Sequence, residues 1–382
     1  MQFLISSCSF ATLWQYKKYN FVKMARGLHF CAFLLLLVWT PATTAQLFPA
    51  LFILGDSLVD NGNNNFIGSL AFANIPYNGI DYINHLPTGR FCNGRTVADR
   101  LAELIGLPPA PPYLSPTTIG SAILKGVNFA SGAGGILDST GANYINRISF
   151  NKQLEYFSRN KQALIQQLGV NGADDFLKKS LYFLMFGSND YINNYLLSNS
   201  QTPKQYSPSQ YQDLLISTYS RQLSTLYNLG AKKIVVSAVG PLGCIPSQIN
   251  QRSQSDACVD YINNYIVSFN AALKLLVARL NQELPDAIFV YSNAYDSVMA
   301  LINNPAQYGF KVANAGCCGV GRLNGQLGCI PLSNLCSNRE EYIFWDPFHP
   351  TDAVNRLLAP ALVNGTPDQI WPFNIKQLAS SS

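Results

Sequence analysis

The sequence predicts an α/β fold in which a parallel sheet of five strands carries helices on both faces. Two observations point there. Five short apolar runs have the length of buried strands, and most are separated by longer segments whose apolar residues recur every three or four positions. In addition, no repeat, charge block or low-complexity linker divides residues 46–382, so a single domain is expected over that range.

The first 45 residues read as an address rather than as fold. Residues 30–39 form an apolar run of ten, preceded by Arg26 and followed by Pro41-Ala42-Thr43-Thr44-Ala45. A positive start, a short apolar stretch and small residues describe a secretory signal peptide, with cleavage expected after Ala45. A membrane span needs about 20 apolar residues, so an anchor is disfavoured. The natural start of such a leader is Met24, which makes residues 1–23 an upstream extension. Lys17, Lys18, Lys23 and Arg26 leave with the leader, and 22 basic and 21 acidic side chains remain. That near-neutral balance gives no reason to expect nucleic acid or an anionic membrane surface as a partner.

The elements follow in order. Residues 50–54 read as a buried strand ending at Gly55. Residues 96–105 read as a short helix, stopped by Gly106 and the prolines at 108, 109, 111 and 112. Residues 126–130 are expected to be a second strand, and 150–168 a helix with apolar residues at 150, 154, 157, 164, 165 and 168. A third strand is expected over 181–186, a helix over 211–229 and a fourth strand over 234–239. The clearest helix lies between Cys258 and Leu284, where Ile262, Tyr265, Ile266, Phe269, Leu273, Leu276 and Leu280 descend one face. Residues 287–291 read as a fifth strand. Residues 352–362 read as a last helix, with Thr351 at its N-cap.

In such sheets the chemistry sits beyond the carboxyl ends of the strands. After the first strand comes Gly55-Asp56-Ser57-Leu58, and a serine on a strand-to-helix turn can raise its hydroxyl from the sheet edge. That hydroxyl is a weak nucleophile until a base takes its proton. The chain has three histidines: His29 lies in the leader, His85 in a polar loop, and His349 in Asp346-Pro347-Phe348-His349-Pro350. Scarcity selects His349, and the three-residue spacing lets the Asp346 carboxylate fix its tautomer. The third strand ends in Gly187-Ser188-Asn189-Asp190, where the Asn189 amide can donate to an oxyanion. The second ends in Ser131-Gly132-Ala133-Gly134-Gly135, a glycine-rich turn that can expose backbone N–H groups but lacks the lysine and spacing of a phosphate loop.

Nine cysteines include Cys8 and Cys31 in the leader, which leaves seven. In an oxidising compartment six of these can form three disulfides. Cys244 and Cys258 flank a polar loop and are expected to pair. Cys317, Cys318, Cys329 and Cys336 are expected to pair among themselves, leaving Cys92 free. A zinc site is the rival for the last four, but adjacent Cys317-Cys318 is not the usual ligand spacing, so no cofactor is implied. Asn364-Gly365-Thr366 is a glycosylation acceptor, in keeping with a secretory route.

Together these motifs resemble the plant-type GDSL esterases/lipases of the SGNH hydrolase superfamily, over essentially all of residues 46–378. Gly55-Asp56-Ser57-Leu58 with Val59-Asp60-Asn61-Gly62-Asn63-Asn64 is similar to the nucleophile block, Phe129-Ala130-Ser131-Gly132 to the glycine block, Gly187-Ser188-Asn189-Asp190 to the asparagine block, and Asp346-Pro347-Phe348-His349-Pro350 to the Asp-x-x-His block. The resemblance implies a three-layer α/β/α sandwich of flavodoxin-like type. It also implies a Ser57, Asp346, His349 triad and an oxyanion hole from Ser57 N–H, Gly132 N–H and Asn189, with Gly134 as the alternative to Gly132. The expected activity is hydrolysis of a small or polymeric lipid or carbohydrate ester through an acyl-enzyme, outside the cell or in the cell wall. Transfer of the acyl group to another alcohol is the alternative. A non-catalytic binding protein is disfavoured by the intact Ser57, Asn189, Asp346 and His349. No Gly-x-Ser-x-Gly occurs, which disfavours an α/β-hydrolase.

Overall fold

In the computed structural model, which describes residues 45–381, the alternation of side chains along four parallel strands sets the layers. The expected leader, residues 1–45, lies outside the described residues except for Ala45. Strands β1 (Leu51–Gly55), β2 (Leu181–Met185), β3 (Lys233–Ser237) and β4 (Ile288–Ser292) pair in that order. Leu51 stands opposite Leu181, Leu181 opposite Lys233, and Lys233 opposite Ile288. The helices are α1 (Val97–Leu104), α2 (Phe150–Lys179), α3 (Pro208–Asn228), α4 (Asp260–Glu283), α5 (Ala294–Asn303) and α6 (Asp352–Asn364), among shorter turns.

Successive strand residues point to opposite faces. Phe52, Leu54, Tyr182, Leu184, Ile234, Val236 and Phe289 are buried with the apolar stripes of α2, α3 and α4. Leu51, Ile53, Leu181, Phe183, Val235 and Val290 are buried with α1, α6 and the terminal helix Ile375–Ser380. Burial on both faces is why the strands read as continuous apolar runs. The result is a three-layer α/β/α arrangement around a mainly parallel five-stranded sheet.

The fifth strand is not the expected one. Residues 126–130 run beside β1, with Ile53 N–H donating to Val127 O at 3.0 Å and Phe129 N–H to Ile53 O at 2.8 Å. They form only isolated bridges, at Asn128 to Ile53 and to Pro112. Their outer neighbour is the segment 111–113, where Asn128 N–H donates to Pro111 O at 2.9 Å and Tyr113 N–H to Asn128 O at 2.8 Å, but the two prolines have no N–H with which to extend the ladder. The Asn63 side chain also donates to the carbonyls of Asn128 and Ala130, at 2.9 and 2.8 Å. The fifth position is taken by Ile370–Trp371, antiparallel to β4. Helix α2 also runs past the expected end at 168. It breaks there at Gly169 (φ 72°) and resumes to Lys179.

The caps are local and specific. Thr96 accepts from Asp99 N–H and Asp99 reciprocates to Thr96 N–H, a capping box that starts α1. Thr351 caps α6 by accepting from Val354 N–H. Disulfides join Cys244 to Cys258, Cys317 to Cys336 and Cys318 to Cys329, while Cys92 is buried with a free thiol. Among the described residues no helix is long and apolar enough to cross a membrane, and no cluster of His, Cys, Asp or Glu is arranged to hold a metal ion.

Candidate active site

β1 ends at Gly55, where a Cβ would stand 2.5 Å from the Val59 side chain and 2.8 Å from Met185 O. The glycine therefore lets the chain leave the sheet tightly, and Gln153 holds it there by accepting from Gly55 N–H at 2.9 Å and donating to Gly55 O at 2.7 Å. Ser57 stands at the crest of the turn that follows. No helix begins here, contrary to the expectation of a strand-to-helix turn. The side chains of Asp56 and Asp60 accept from Leu58 N–H, Gly62 N–H and Asn63 N–H, which ties the backbone into turns instead.

At the other end of the chain, Asp346 folds its own loop. Its Oδ1 accepts from Phe348 N–H at 2.8 Å and His349 N–H at 2.9 Å, and Trp345, wholly buried, donates from Nε1 to Asn78 at 2.8 Å. This closure brings the imidazole back onto its own carboxylate. His349 Nδ1 lies 2.8 and 2.9 Å from the two oxygens of Asp346, and Nε2 lies 2.8 Å from Ser57 Oγ. Phe91 packs against the imidazole with ring centroids 5.1 Å apart. Asp346 and His349 are buried and Ser57 is half-buried. His85 is exposed and stands apart, its Nδ1 2.7 Å from Ile80 O.

Asn189 is buried at the carboxyl end of β2, and its Nδ2 donates to Gly134 O at 2.9 Å. That uses one of two amide hydrogens, so a second remains. The next residue, Asp190, clamps the glycine-rich loop by accepting from Ile136 N–H at 2.9 Å, Leu137 N–H at 3.1 Å and Thr140 Oγ1 at 2.6 Å.

The two glycines singled out from the sequence do not present open amides. Gly132 N–H donates to Asp60 Oδ2 at 3.0 Å, and Gly134 N–H donates to Ser131 O at 3.0 Å. Between them, Ala133 N–H has no acceptor among the described residues, and Ala133 lines the same groove as Ser57 and Asn189. Ser57 N–H is likewise without an acceptor. Ala133 holds φ at 63°, a left-handed conformation uncommon for alanine. Nothing in a Ser-Gly-Ala-Gly-Gly string announces that. The legible hint was Asp60, whose carboxylate in a turn needs backbone amides and takes that of Gly132.

Burial dominates the electrostatics around the turn. It pushes the Asp56 carboxyl up to about 7, and Asp56 Oδ2 is buried without a partner among the described residues. It pushes Asp60 and Asp190 up to about 6, against the pull of their N–H donors. Two hollows meet at Ser57: an inner cavity of about 100 Å³ and an outer groove of about 390 Å³, with Ser57, Asn189, Ile192, Phe348 and His349 on the walls of both.

The family model described as GDSL-like lipase/acylhydrolase matches residues 51–362. The Arabidopsis thaliana protein GDSL esterase/lipase At1g71250 is 49% identical, over 86% of this chain and 88% of its own. GDSL esterase/lipase 7 from the same plant is 47% identical, over 93% of this chain and 99% of its own.

Proposed function

Because the chain belongs to the GDSL esterase/lipase family of serine carboxylic ester hydrolases, we propose that it is a secreted esterase acting on a lipid or carbohydrate ester through an acyl-enzyme on Ser57. The observation that carries this reading is the unbroken line from Asp346 through His349 to Ser57, with 2.8 Å at each link.

The chemistry follows from the atoms. His349 Nε2 takes the Ser57 Oγ proton as Oγ attacks the ester carbonyl. Asp346 holds the Nδ1 proton and stabilises the imidazolium that forms. The tetrahedral oxyanion accepts from Ser57 N–H, Ala133 N–H and the second Asn189 hydrogen, and one such donor is worth roughly 10²–10³ in rate. Collapse breaks the ester bond, and the alcohol leaves with the proton from His349. Water then attacks the acyl-enzyme by the same route, releasing the acid and restoring Ser57. Three disulfides and the exposed Asn364 of Asn364-Gly365-Thr366 support passage through an oxidising secretory route.

Ser57→Ala is expected to lower kcat on any ester by about 10⁵–10⁶, as in other serine triads. A fluorophosphonate probe is expected to label the wild-type protein at Ser57, located by peptide mapping. Labelling at another residue, or a variant still within about tenfold of wild type, overturns the assignment.

A further inference from the structure

The catalytic serine stands between two hollows of different chemistry. The inner one lies beyond the ends of β2, β3 and β4, with Val97, Ala238, Leu242, Ala294, Val298 and Leu358 among its walls. Helix α5 is informative here. Its sequence is apolar, yet only Leu301 of its ten residues is buried. Ala294 and Val298, one turn apart on that helix, face the cavity instead of the core. Of the polar residues on the wall, Ser57, Asn189 and His349 belong to the catalytic group, Ser188 precedes Asn189 in the chain, and Asn355 donates to Arg95 O at 2.9 Å. Asp56 accepts from Leu58 N–H at 3.0 Å, while its other oxygen has no partner among the described residues. The outer groove differs, because Asn78, Tyr144, Asn193 and Gln326 stand among its apolar residues.

We propose that the inner cavity receives the acyl chain of the substrate and the outer groove its alcohol. This makes the substrates esters of aliphatic acids several carbons long, carried on a larger, partly polar alcohol. The assignment rests on Ser57 being the nucleophile. A hydrocarbon chain leaving water for an apolar cavity gains in proportion to the area it buries, and the polar alcohol has no such reason to enter. An ester seated this way crosses Ser57 at its carbonyl, which is the point the two hollows share.

Gly240 offers a clean obstruction. It lines the inner cavity, and a Cβ built on it meets no heavy atom within 4 Å. Its φ is outside the left-handed region, so a larger residue fits the backbone. The test uses the purified full chain and p-nitrophenyl esters from acetate to dodecanoate, which vary the acid and keep the alcohol. Wild type is expected to have a higher kcat/KM on octanoate than on acetate. Gly240→Phe and, independently, Val298→Trp are expected to lower the octanoate-to-acetate ratio on the order of tenfold or more, while retaining acetate hydrolysis and fluorophosphonate labelling. Leu327→Trp, on the exposed rim of the outer groove, is expected to leave the ratio unchanged. An unmoved ratio in both cavity variants with labelling intact overturns this assignment alone, as does a shifted ratio in Leu327→Trp. Loss of labelling from wild-type Ser57 overturns the nucleophile assignment and this one with it.

Discussion

Asp346 accepts from three donors at once: the backbone N–H groups of Phe348 and His349, and the Nδ1 of His349, which reaches both carboxylate oxygens. It therefore shapes the loop and also fixes which nitrogen of the ring faces Ser57. Asp346→Asn keeps the size but presents a donor or a neutral acceptor to Nδ1, so kcat is expected to fall by roughly 10⁴, as the same change does in other triads. Combined with His349→Ala, the loss is expected to be far less than additive, because both residues serve one proton transfer. Steady-state kinetics of the two single variants and the double variant decide it, and near-wild-type activity in Asp346→Asn would place the orienting carboxylate elsewhere. The members of this group were legible in the sequence for a chemical reason: outside the expected leader the sequence offers just two imidazoles, His85 and His349. Ala133 was not legible. Its open amide depends on a positive φ and on Asp60 capturing the neighbouring N–H, and residue type encodes neither.

The same division holds among elements. β1 to β4 were readable because each is buried on both faces and shows as an uninterrupted apolar run. Residues 126–130 carry a similar run, but whether a ladder forms depends on the neighbour, and Pro111-Pro112 supplies no donors. The two-residue Ile370–Trp371 is too short to carry any pattern. Helix α1 was legible from its stop signals, Gly106 and the prolines that follow, whereas the capping box at its start was not. Asp99 also pairs with Arg90 at 2.7 Å, with both side chains buried, and accepts from Asn61. Arg90 holds the Asp99 carboxyl below the usual carboxylate range despite the burial. Asp99→Ala leaves the Arg90 charge buried and removes the reciprocal half of the α1 capping box, so a loss of about 3–5 kcal/mol is expected in denaturant unfolding. A loss below about 1 kcal/mol, typical of exposed pairs, would show that Arg90 reaches water in the folded protein.

Across the whole molecule, three buried carboxyls beside the site bias stability with pH in one direction. Asp56, Asp60 and Asp190 are raised by burial to about 7, 6 and 6, whereas in the unfolded chain they titrate near 3.9. The folded state therefore holds protons that the unfolded state has released. Their contribution is full below the unfolded value and is lost as pH rises through the folded ones. Asp81 and Asp99 are shifted the other way, and lose their contribution only as pH falls through and below the ordinary carboxylate range. From about pH 8 down to about pH 5 the Tm is expected to rise, and Asp56→Asn is expected to flatten that slope. Thermal melts across the range check both, and a Tm that increases with pH would contradict the direction.

Ser57 and His349 are 292 residues apart in sequence. A ribosome adding roughly 5–20 residues per second makes the proposed nucleophile roughly 15–60 s before it makes the proposed base. The growing chain carries an inert serine for that whole interval, and a product stalled or terminated before His349 is chemically silent. On the proposed assignment, catalytic competence is thus among the last properties that synthesis confers, arriving with the Asp346 loop and helix α6.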